Sequence, residues 1–198
     1  MLGSNSPSEQ DAVGITVVLD QIRSGVEGAE RRLYELVYKE LRKQAEVLIA
    51  YERTGTLGAT ELVHEVYIRL TDGDVLARSP NRRYFFAAAG RAMRQILVDH
   101  ARSRRAQKRG KNYERCPLDA VLEFYEAGDQ LDILELDAAL AELEQAHPRQ
   151  YLVVLHRYFT GLTIAETASV LNMSVSSVEG DWRLARAKLY KQLRGTET

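Results

Sequence analysis

Apolar residues in this chain recur at three- and four-residue intervals, and alternating strand patterns are nearly absent. That period is the mark of amphipathic helices, so one kind of regular structure is open to most of the sequence. In ERRLYELVYKELRKQAEVLI, Leu33, Val37, Leu41, Ala45 and Leu48 follow at steps of four, four, four and three and form a single stripe. Leu62, Val66 and Leu70 repeat the pattern in ATELVHEVYIRL. A longer helix is predicted from about Tyr84 to Arg105, with Phe85, Ala89, Met93, Ile96, Leu97 and His100 on its inner side. Asp72–Gly73 and Pro80 break the chain between these last two helices. The expectation is an all-α fold of two helical domains. A disordered tail over 1–11 precedes a helical bundle over 12–106. A flexible linker over 107–132, with a short helix around Leu118–Tyr125, leads to a second domain over 133–198.

The sharpest local signal lies near the C-terminus. Thr163 and Glu166 have capping-box spacing, which predicts a helix from Thr163 through Leu171. Asn172, Met173 and Ser174 form a turn, and Ser176 with Glu179 repeats the capping spacing to open a second helix. Along that helix Val178, Trp182, Ala185, Leu189 and Leu193 make one buried face, with Ser177, Gly180, Arg183, Arg186 and Lys188 opposite. Helix, short turn and helix with a polar-basic outer face is the helix-turn-helix arrangement, whose second helix enters the major groove of DNA.

Charge points the same way once it is taken by segment. The 198 residues carry a formal net charge of −1, yet residues 88–115 hold nine basic and two acidic side chains, +7. Residues 116–145 hold nine acidic and no basic side chains, −9. A local cationic stripe attracts polyanions whatever the net charge, and the run RSRRAQKRGK is mostly Arg, whose planar fork suits phosphate. The acidic stretch follows directly and is expected to lie, in the free protein, against those cations or against the second helix of the C-terminal pair. Either the whole stretch competes there with phosphate, or Ile133–Glu144 is the first helix of the second domain with an acidic outer face and the competing part is only Asp119–Asp132.

Other classes fit poorly. HExxH would need His at position 68, where Ile68 stands, and neither GxxxxGK[ST] nor GxSxG occurs. His64, His100, His147 and His156 show no ligand spacing with the one cysteine, Cys116, so no metal, cofactor or enzymatic activity is expected. No run approaches the roughly 18 apolar residues of a membrane span, and the N-terminus lacks a basic region followed by an apolar one. A cytoplasmic protein is expected. A helix-turn-helix regulator unconnected with RNA polymerase would explain Thr163–Lys191, but not the basic-aromatic stretch at 82–109.

LHRYFTGLTIAETASVLNMSVSSVEGDWRLARAKL resembles region 4 of the extracytoplasmic-function (ECF) branch of the sigma-70-type sigma factors. GATELVHEVYIRL is similar to region 2.2 of that family, and FFAAAGRAMRQILVDHARSRRAQKRG to regions 2.3 and 2.4. The resemblance implies a dissociable specificity subunit of bacterial RNA polymerase. Region 2 would bind the clamp of the core polymerase through Glu61, His64, Glu65 and Arg69. It would capture the melted −10 element through Arg82, Arg83, Tyr84, Arg91, Arg94, Gln95, Arg102, Arg104 and Arg105. Region 4 would bind the flap and read the −35 duplex through Ser176, Ser177, Glu179, Gly180, Arg183, Arg186 and Lys188. An anti-sigma factor is a further partner that the family admits. Glu179 and Asp181 depart from the family, which often carries basic residues there; they either read bases, since a carboxylate can accept from cytosine, or cap the helix.

Overall fold

The stripe at steps of four and three is buried where the period places it. In the computed structural model, which describes residues 9–49, 57–107, 115–116 and 131–194, Leu33, Val37, Leu41, Ala45 and Leu48 all lie in the core, on one face of a 21-residue helix. Fully burying each such leucine is worth about 1.5–3 kcal/mol, which is what holds an otherwise polar helix in place. The chain runs α1 (Glu9–Arg23), α2 (Ala29–Ile49), α3 (Ala59–Asp72), the single turn α4 (Val75–Arg78) and α5 (Arg82–Gln107). Then come β1 (Arg115–Cys116), β2 (Leu131–Asp132), α6 (Ile133–Ala146), α7 (Pro148–Val154), α8 (Ile164–Leu171) and α9 (Val175–Arg194). A π-helical turn, Leu155–Phe159, continues α7. Among the described residues the fold is all-α apart from the two-residue antiparallel pair, in which Arg115 faces Asp132 and Cys116 faces Leu131.

Several boundaries differ from the sequence reading. α1 begins at Glu9, inside the expected tail, because Ile15, Val18 and Leu19 give the segment a buried face to pack. α5 starts at Arg82 rather than Tyr84, since the Asn81 side-chain oxygen accepts from the Tyr84 amide at 3.3 Å and caps the first turn. The β1–β2 pair joins Arg115–Cys116, inside the expected linker, to its last two residues, Leu131–Asp132; the short helix expected at Leu118–Tyr125 lies outside the described residues.

The helix-turn-helix forms at the expected place. Thr163 accepts from the Glu166 amide at 3.2 Å while the Glu166 carboxylate accepts from the Thr163 amide at 2.7 Å, completing the capping box of α8. Asn172 ends α8 in the left-handed conformation, φ 54°, which a short polar side chain tolerates. The cap of α9 is Ser174, not Ser176: the Ser177 amide donates to Ser174 Oγ at 3.1 Å. The left-handed Asn172 turns the chain within two residues, so the first serine after it already meets the incoming helix and the Ser176–Glu179 spacing goes unused.

Val153, Ala168, Leu171 and Val178 make a small core beneath the helix-turn-helix. All other buried apolar side chains, from α1 through α9, belong to one continuous core. The N-terminal bundle and the C-terminal helices meet where α5 packs on α6 and on the π-turn. A Cβ on Gly90 would lie 2.9 Å from Leu155 Cγ, so a residue without a side chain is what lets α5 come so close. On the other flank, Gln44 of α2 donates to the Tyr158 carbonyl.

Candidate nucleic-acid interface

At the start of α5, Tyr84 is 58% exposed and Arg83 is exposed beside it, while Phe85 and Phe86 are core residues packed edge-to-face, their centroids 5.2 Å apart. Arg82 is buried and stacks over the Phe86 ring at 5.3 Å. It packs against the aromatic pair, whereas the sequence reading counted it among the residues that take up the −10 strand. Exposed aromatic and cationic groups side by side are what a single strand needs, a face for a base and a charge for its phosphate. Arg105, at the other end of α5, is also exposed, and Arg104 is half-buried.

Midway along α5 the cations are engaged by the C-terminal helices. Arg94 Nε donates to Asp137 Oδ1 at 2.8 Å, its Nη2 to the Asp137 carbonyl at 2.9 Å, and its Nη1 to the Tyr151 hydroxyl at 3.1 Å. Arg91 pairs with Glu144 at 3.5 Å and Arg102 with Asp137 at 3.5 Å. Burial pushes the Tyr151 phenol above its usual range, although the Arg94 charge and hydrogen bond work against it. Gln95 donates to Asp99 at 2.8 Å, and Arg69 to the other oxygen of the same carboxylate at 3.0 Å. Partial burial alone would raise the Asp99 carboxyl; the hydrogen bonds from Arg69 and Gln95, with the charges of Arg69 and Arg102, outweigh it and hold the group below its usual range. The expected strand-binding set is thus divided. Arg83 and Tyr84 stand clear at the start of the helix, and Arg91, Arg94 and Arg102 meet carboxylates of α6 in its middle.

The outer face of α3 presents Glu61, His64 and Arg69 exposed and Glu65 half-buried, with Ile68 between them 41% exposed. Two of these also act within the fold: Glu61 accepts from the Gly58 amide at 3.3 Å as a cap, and Arg69 ties α3 to α5 through Asp99.

On α9, Ser176, Ser177, Glu179 and Arg183 are exposed and Gly180 is half-exposed, all on one arc of the helix surface. Two cations expected on that arc are elsewhere. Arg186 is buried and lies over the Trp182 ring at 5.7 Å, with Arg157 over the same ring at 5.3 Å. Lys188 is half-buried and donates to Gln150 of α7 at 3.0 Å. Both sit on the flanks of the buried stripe, where a long side chain reaches a neighbouring helix and covers its own stem. Asp181, expected to read bases or cap the helix, is 3% exposed and pairs with Arg149 of α7 at 2.7 Å. The exposed arc therefore bears one cation, Arg183, and one anion, Glu179.

The partners Asp137, Tyr151, Asp99 and Arg149 carry no motif and were not singled out by sequence; the acidic character of 116–145 was the one available signal for Asp137 and Glu144. Among the described residues, no group of His, Cys, Asp and Glu could hold a metal ion, and no helix is long and apolar enough to cross a membrane.

A family model described as ECF sigma factor matches residues 12–195. No curated protein matches the chain. Among solved structures, that of CnrH in complex with the cytosolic domain of CnrY is similar at 20% identity and a TM-score of 0.40, covering 92% of this chain and 98% of that one.

Proposed function

The chain belongs to the ECF sigma factor family, and we propose that it binds core RNA polymerase and directs initiation at a subset of promoters. The observation that carries this reading is the family match across both blocks of helices, 12–195, including the helix-turn-helix and the basic-aromatic helix together. In this reading the arc Ser176, Ser177, Glu179, Gly180 and Arg183 meets the −35 duplex, and Arg83 and Tyr84 take up the melted −10 strand. The α3 face around His64, Glu65 and Ile68 docks on the clamp, and region 4 on the flap. The chemistry is recognition only; the polymerase supplies catalysis, in the compartment where it works.

With one exposed cation on the α9 arc, base and backbone contacts there have to come largely from hydroxyls, backbone amides and Glu179, which suits acceptance from cytosine. The test is reconstituted transcription: core polymerase from the host, the purified protein and genomic promoter templates. Specific transcripts that depend on the added protein are expected, with co-elution of protein and core. Core plus protein giving no promoter-specific transcript overturns the reading.

A further inference from the structure

Arg94 is one of the cations expected to follow the −10 strand, yet all three of its guanidinium nitrogens are engaged by the C-terminal helices, and its side chain is 13% exposed. Asp137 faces it with a side chain 20% exposed, and Arg102 approaches the other oxygen of that carboxylate. Glu144, about two turns further along the same face of α6, lies within 3.5 Å of Arg91 and 3.8 Å of Arg94. Tyr151 completes the group, with Arg91 and Arg94 over its ring at 5.9 and 5.7 Å. A carboxylate fills the same fork of donors that a phosphate oxygen would use, so the two compete for one guanidinium.

We propose that the α5–α6 contact is an autoinhibitory lock, in which Asp137 and Glu144 stand in for DNA phosphates on Arg91, Arg94 and Arg102 until the C-terminal helices move away. The inference deepens the sigma reading and rests on α5 being the helix that follows the melted strand. Its occupant is a segment of the same chain, and its charged part lies at the border of the contact, where Arg91 and Arg102 are exposed. The ion pairs border apolar packing that is continuous with the core and in which Gly90 lies close on Leu155. The exposed Tyr84 and Arg83 lie outside it. The closed protein therefore keeps the end of α5 available while its middle cannot engage a strand. The competing acids belong to α6; Asp119, Glu123, Glu126 and Asp129 of the expected linker stretch lie outside the described residues.

Binding of a fluorescent oligothymidylate to the free full-length protein at low salt reads the lock directly. Asp137→Asn combined with Glu144→Gln removes the competing charges. Glu135→Gln combined with Glu142→Gln makes the same change of net charge on exposed positions of the same helix, away from α5. The first pair is expected to tighten binding about tenfold or more, within the range common for coupling between sites, and the control pair to leave it nearly unchanged. Equal affinities in the two double variants overturn the lock. Should Asp137→Asn lower the helical content, Glu144→Gln against Glu142→Gln makes the same comparison, with the same direction expected. Promoter transcription with core polymerase is measured alongside. Its absence from wild type and variants alike counts against the sigma reading alone, whereas equal oligonucleotide affinities count against the lock alone.

Discussion

His156 shows how one side chain can record the way two helical groups meet. It sits in the π-turn, wholly buried, and neither ring nitrogen has a hydrogen-bond partner among the described residues. Burial, and then the charges of Arg83, Arg91 and Arg82, push its pKa from 6.5 down to about 4. The unfolded chain therefore takes up a proton that the folded protein refuses. The sign follows: this contribution to stability is fully present above pH 6.5 and is lost as pH falls from there towards 4. By linkage the protein should be about 2 kcal/mol less stable to denaturant at pH 5 than at pH 7.5. His156→Leu should remove most of that difference; an unchanged pH dependence in the variant would show that another group is responsible.

At the scale of the element, the helix-turn-helix turns on which serine begins α9. Ser174 Oγ accepts from the Ser177 amide, whereas Ser176 Oγ lies near Ser174 Oγ at 3.1 Å and caps nothing. Removing a capping hydroxyl costs about 1 kcal/mol, so Ser174→Ala should lower stability by that amount and Ser176→Ala by a few tenths at most. Thermal or urea unfolding of the two variants measures it, and the reverse order would move the helix start back to Ser176. The same element explains the acidic residues of α9. Asp181 is committed to Arg149 and anchors α9 on α7, which leaves Glu179 as the carboxylate on the exposed arc.

At the scale of the whole molecule, the two helical groups share one core, and Gly90 is a point where α5 and the π-turn come close enough to leave no room for a Cβ. Leucine is a better helix former than glycine by nearly 1 kcal/mol, so Gly90→Leu cannot harm α5 through propensity. Its side chain must instead displace Leu155, and forcing extra carbon into a packed contact typically costs about 1–3 kcal/mol. The variant should therefore have a larger scattering radius than the wild type and unfold in two steps, the N-terminal bundle and the C-terminal helices separately. A single transition at the wild-type radius would mean that the contact yields locally and does not hold the halves together.

Helix identity, the buried faces of α2, α3 and α9, the capping box at Thr163 and the turn at Asn172 were all determined by the sequence itself. The reason is that spacing and capping act within a few residues, where the period of 3.6 leaves little choice. The aromatic division was equally local: Phe85 and Phe86 go inward and Tyr84 outward because they follow one another on a helix with one apolar side. What only the tertiary structure decided is the employment of the charged residues. A helical wheel places Arg186 and Lys188 outside the apolar stripe, but cannot tell that Trp182 and Gln150 wait at its flanks. Charge counting finds an acidic segment beside a basic one, but not that Asp137 and Glu144 are the acids that reach α5 among the described residues. A long side chain takes its partner from whatever helix packs beside it, and that neighbour is set by contacts far apart in the chain, 43 residues in the case of Arg94 and Asp137.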